Sequence, residues 1–162
     1  VWIYLEYENR PRTIESLAGL SLGMSLVDVK IKKGAPDKDS EPSEIDGEFV
    51  TRWAYGGNDP YGDLFFLKFN GPDAANQKLA IICYSRGVRK LPFGIDRSSY
   101  ESEVINRLGN PTTISIRKDG LSKFMSYKSL KAAFEIEKGT VAQVCISESG
   151  RVVYSEELAD AN

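Results

Sequence analysis

The chain has 162 residues, 41% of them hydrophobic and 27% charged, with a formal net charge of −2; this suits one ordinary domain or two small ones and excludes a disordered or membrane-spanning composition. Lys and Arg are scattered rather than clustered, so no nucleic-acid partner is expected. Histidine is absent, which removes Ser-His-Asp and Cys-His catalysis and the commonest metal ligand, and two distant cysteines make no zinc site by themselves. No cofactor is expected.

In chain order, residues 1–12 form an N-terminal extension. Its opening "VWIYLEY" is far short of the roughly 20 apolar residues that cross a bilayer. It reads as a strand, as an apolar clip on the domain surface, or as the stub of a membrane anchor lying upstream of Val1. "TIESLAGL", Thr13 to Leu20, reads as a first helix capped by Thr13, with Glu15 and Ser16 in its first turn.

The next stretch, "GMSLVDVKIKKGAPD", predicts a second helix. Ser25 and Asp28 are spaced as an N-cap and its reciprocal acceptor. Val27 and Ile31 share one face at i, i+4. Gly34 suits the left-handed position beyond the helix, and Pro36 stops it from resuming. Three strands follow, "TRWAYGG", "FFLKFNG" and "LAIICYS", joined by "GGNDPYGD" and "NGPDAANQ" loops.

The same pattern recurs downstream. "LPFGIDRSSYESEVINRLGNPT" repeats the glycine, the capping serine (Ser98, with Glu101), the apolar run Tyr100, Val104, Leu108 and the Gly109-Asn110-Pro111 stop. Its helix reads about a turn longer than the first. "SKFMSY", "AAFEIEKG" and "VAQVCIS" then match the three strands, and Cys83 falls on Cys145. Period-two alternation puts Phe65, Leu67 and Phe69, and Ala132, Phe134 and Ile136, toward a core. It also turns Ala142, Val144 and Ile146 inward, leaving Val141, Gln143 and Cys145 outward. Residues 155–162 read as a short helix or a disordered tail.

The expected fold is α+β: two tandem helix-helix-β-β-β repeats, residues 13–88 and 89–154, with antiparallel sheets merged side by side and helices on one face. The cysteines are expected to be free. They sit at matching points of two repeats, and a bridge requires the central strands to meet across the junction within disulfide reach.

"IESLAGLSLGMSLVDVKIKKGAPD…RWAY…LFFLKFNG…LAII" resembles the SmpA/OmlA (BamE) type of bacterial envelope lipoprotein domain. A tandem pair in this length is similar to the β-lactamase inhibitor protein (BLIP) family, whose two repeats form one curved sheet with helices behind it. The resemblance covers about residues 13–85 and 91–147. It implies a periplasmic or cell-envelope location and a protein partner. That family carries a disulfide in each repeat, and this chain departs from it with a single cysteine in each.

The function expected is a non-catalytic protein-binding module, with a BLIP-type secreted or periplasmic inhibitor as the alternative. A hydrolase using carboxylates alone is the remaining class, although no acid pair is placed by a motif. The expected partner surface is the helix-free sheet face, centred on Trp53, Tyr55, Tyr61, Phe66 and Tyr127, because aromatics concentrate at binding hot spots. Glu44, Asp46 and Glu48 lack calcium-loop spacing and read as solvated charges.

Overall fold

A computed structural model describes residues 14, 16–56, 64–85, 94–152 and 154. Thr13, Glu15, Tyr61, the "VWIYLEY" segment and the 155–162 tail lie outside them. Eleven strands and two α-helices are present among the described residues.

The first expected helix does not form. Ser16–Leu17 (β1) and Leu20–Ser21 (β2) instead pair as a minimal hairpin. Ala18 and Gly19 both have positive φ, 53° and 81°, the conformation a tight two-residue hairpin turn requires. Leu17 and Leu20 are buried. Their i, i+3 spacing fits a helix face and a hairpin alike, and Gly19, which costs a helix interior about 1 kcal/mol, favours the hairpin.

Helix α1 spans Leu26–Lys33. Ser25 Oγ accepts from the Asp28 amide at 3.1 Å, and Asp28 Oδ2 accepts from the Ser25 amide at 3.4 Å, the expected reciprocal cap. The face shared by Val27 and Ile31 is the solvent side: Val29 is fully buried while Val27 and Ile31 are 66% and 77% exposed. Helix α2, Glu101–Leu108, is no longer than α1, both having 8 residues. It starts after Tyr100 rather than Ser98, whose amide and hydroxyl are held by Asp96 Oδ1. Val104 is its fully buried anchor, and Tyr100 stays exposed.

The remaining strands form one antiparallel sheet of nine: β3 (Lys38–Asp39), β4 (Ser43–Ile45), β5 (Glu48–Tyr55), β6 (Leu64–Gly71), β7 (Lys78–Ser85), β8 (Thr113–Ile116), β9 (Ser122–Tyr127), β10 (Ala132–Glu137) and β11 (Thr140–Ser147). The strand order is β3-β5-β6-β7-β11-β10-β9-β8, with β4 also on β5. The helix-helix-β-β-β description is therefore wrong. The described chain is predominantly sheet, with one short helix before each strand set.

The core lies on the face carrying α1 and α2, where Phe65, Leu67 and Phe69 meet Ile82, Phe134, Ile136, Val144 and Ile146. Two bulges adjust the alternation. Opposite Lys68–Phe69 the partner skips from Ile81 to Leu79, and opposite Glu135–Ile136 from Gln143 to Val141. The extra residue turns Val141 into the core, where alternation had placed Ala142.

Cys83 and Cys145 are bonded to each other. This corrects the expectation of free thiols. β7 and β11 are neighbours at the sheet centre, and their register sets the two cysteines directly opposite, with Cα atoms 4.0 Å apart.

Candidate functional site

The helix-free face of the sheet carries the candidate site. Counted outward from the disulfide, its two halves hold corresponding positions. Cys83 pairs with Phe66 and Cys145 with Ala133. Farther along, Ile81 pairs with Lys68 and Lys68 with Arg52, while Gln143 pairs with Glu135 and Glu135 with Phe124. Arg52 thus occupies the place of Phe124, and Lys68 that of Glu135.

The half built on β9–β11 is covered by the chain itself. Phe124, Ala133, Cys145 and Val152 form a small second core, joined by Ile81, Cys83 and Tyr154. The Tyr154 ring lies 4.8 Å from that of Phe124. Its hydroxyl donates to Glu135 Oε2 at 2.8 Å and accepts from the Ser122 hydroxyl at 2.8 Å. Burial and the Glu135 carboxylate together push the Tyr154 hydroxyl pKa up, the Ser122 bond opposing them.

Among the described residues nothing covers the half built on β5–β7. A hollow of about 460 Å³ lies there, with Ala54, Phe66, Ile81 and Cys83 among its apolar lining. Lys38, Arg52 and Lys68 also line it, with Asp39 as the one acidic residue among its described lining. Asp39 Oδ1 accepts the Trp53 indole hydrogen at 2.8 Å. Phe66 is 46% exposed, a large ring facing solvent in the middle of a sheet. Among the described residues no group of three or more His, Cys, Asp or Glu side chains could hold a metal ion.

Of the aromatics expected on this surface, Phe66 alone is placed there. Trp53, Tyr55 and Tyr127 are buried on the opposite face, in the core. Trp53 packs edge-on against Phe69 at 4.7 Å. Tyr55 donates its hydroxyl hydrogen to the Gly34 carbonyl and Tyr127 to that of Gly109, each at 2.9 Å. Desolvation raises the pKa of both phenols, for Tyr127 to about 12. Tyr61 lies outside the described residues.

The sequence carried the signal for this correction. In "TRWAY", Arg52 and Ala54 alternate with Thr51, Trp53 and Tyr55, and a charged Arg52 belongs on the solvent face. That places Trp53 and Tyr55 inward. Val152 and Tyr154 were missed because they lie beyond the last strand, where no periodicity assigns a face.

The whole-chain comparison agrees with the sheet-rich architecture. The DUF4309 family protein YjgB of Bacillus subtilis is similar over 88% of this chain and 90% of its own, at a TM-score of 0.54 and 14% identity. It shares the fold. A candidate beta-lactamase inhibitor protein from Streptococcus mutans aligns over 86% of this chain and 91% of its own, at 13% identity and a TM-score of 0.34, too low to support an argument. No family model and no curated protein matches the sequence.

Proposed function

We propose that the chain is a non-catalytic protein-binding module acting outside the cytoplasm, and that it engages its partner through the open half of the helix-free face. One observation carries this reading. The chain covers one half of that face with its own Val152 and Tyr154, and among the described residues nothing is laid over Phe66 on the other half. Apolar surface left uncovered in a hollow with a polar rim has the anatomy of an interface. The Cys83–Cys145 bond supports an oxidising compartment such as the periplasm or cell envelope. The matched Tyr55–Gly34 and Tyr127–Gly109 bonds support reading the chain as two BamE-like units.

Inhibition of a secreted or periplasmic enzyme, of the BLIP type, is the narrower form of this function. It is favoured by the disulfide at the centre of the sheet, which fixes both halves into one continuous surface. A rigid surface binds with a smaller ordering cost.

Affinity capture from the envelope fraction of the source cell tests the reading, with Phe66→Asp as control. The expected result is a defined partner retained by the native protein and lost by the variant, with thermal stability unchanged. Equal capture by both, or no partner at all, would overturn it.

A further inference from the structure

The covered half shows what kind of group this sheet face accepts: an aromatic ring laid on the sheet, with its hydroxyl donating a hydrogen bond to a carboxylate. Val152 donates its amide to Ser126 Oγ at 3.4 Å, and Tyr154 reaches Phe124, Ser122 and Glu135 two residues on. Ser126 corresponds to Ala54, since each pairs with the residue that faces a cysteine. The open half therefore has a similar sheet floor and disulfide flank but opposite electrostatics. Lys68 stands where Glu135 accepts the tyrosine hydroxyl, and Arg52 where Phe124 receives its ring.

Resting on the binding function proposed above, we infer that the open hollow is a docking site for an extended acidic segment of a partner protein. That segment would place an apolar or aromatic side chain over Phe66 and Ile81, and flanking carboxylates against Arg52, Lys68 and Lys38. Charge complementarity selects this occupant. Among the described residues none of these three cations makes an ion pair, whereas Lys123 is paired with Glu101 and Lys131 with Glu148. Among the described lining Asp39 is the one acidic residue against three basic ones, and its Oδ1 is taken up by the Trp53 indole. A guanidinium in the Arg52 position binds a carboxylate through two parallel hydrogen bonds. A basic peptide would meet like charges at each of those three positions, which works against it strongly.

The experiment uses the full-length oxidised protein and fluorescein-labelled, end-blocked hexapeptides in fluorescence polarisation. The acidic probe is Glu-Asp-Tyr-Glu-Val-Glu. Its counterparts carry Lys, or Gln, at every acidic position. The acidic probe is expected to bind about ten-fold or more tighter than the neutral one, with no binding of the basic one, and to weaken as salt rises. Arg52→Glu with Lys68→Glu should abolish that binding and admit the basic probe. Neither side chain is in the core, so folding checked by thermal melting is expected to hold; single Arg52→Gln and Lys68→Gln variants, each weakening the acidic probe, serve if it does not.

Absence of acidic-probe binding, or equal binding of all three probes, would overturn the inference. Truncation after Tyr154 tests the chain's own acidic tail as the occupant. A rise of about ten-fold or more in probe affinity on truncation would assign the hollow to the tail and overturn the partner assignment. Partner capture that depends on Phe66 but not on the charge of Arg52 and Lys68 would sink this inference while leaving the binding function standing.

Discussion

Cys83 and Cys145 face each other where β7 meets β11, so a single covalent bond joins the two halves of the nine-stranded sheet at its centre. The bridged residues are 62 positions apart. Closing a loop of that length restricts the unfolded chain by an amount worth roughly 4 kcal/mol in the loop-entropy treatment. Reduction, or the double replacement Cys83→Ser with Cys145→Ser, should lower the denaturant midpoint accordingly. Thiol titration of the denatured, unreduced protein should find no free thiol, and a titratable thiol would contradict the bridge.

Tyr127→Phe should cost about 1 kcal/mol. The variant keeps the buried ring and its edge-on packing against Phe134 but strands the Gly109 carbonyl without its hydroxyl donor. Urea unfolding measures the difference. Tyr55→Phe should behave alike, because its bond to Gly34 has the same 2.9 Å length.

Alkaline pH should destabilise the fold partly through the same residue. Burial, reinforced by the Glu101 carboxylate, pushes the Tyr127 hydroxyl from its ordinary 10.0 up to about 12. The folded protein thus holds a proton that the unfolded chain releases. The contribution is complete below about pH 10 and falls away as pH rises toward about 12. Unfolding free energies measured from neutral pH upward should fall less steeply for Tyr127→Phe than for the native protein. Identical slopes would remove the assignment.

Tyr154→Ala should open the half of the helix-free face that the chain now covers. Loss of the ring on Phe124 and of the bonds to Glu135 and Ser122 should cost about 1–3 kcal/mol. Binding of a hydrophobic dye should rise at the same time, read by fluorescence on the folded protein. No rise in dye binding would show that Tyr154 is not what shields Phe124.

Val29→Ala and Val27→Ala should separate sharply, although both positions lie on α1. Val29 is fully buried and Val27 is 66% exposed. The first should cost about 2 kcal/mol through the cavity it leaves, and the second should stay within about 0.5 kcal/mol. Thermal melts of the two variants check the contrast.

Local chemistry was legible in the sequence wherever it was self-contained. The Ser25–Asp28 cap closes within one turn, and Gly34 and Gly109 terminate helices at positions that only neighbouring residues dictate. Alternation oriented Phe65, Phe66, Leu67 and Lys68 correctly, since a strand turns successive side chains to opposite faces whatever it packs against. Other features depend on which strands meet. The spacing of Leu17 and Leu20 suits two local structures, and that of Val27 and Ile31 does not say which side of the helix meets the sheet. The bulge that buries Val141 exists only against β10. The disulfide exists only because β7 and β11 are neighbours in register. The site belongs to this second group. Arg52, Phe66, Lys68 and Ile81 come from three strands and become one hollow only when tertiary pairing sets them side by side. Among the described residues, the segment that covers this face, with Val152 and Tyr154, lies on the other half.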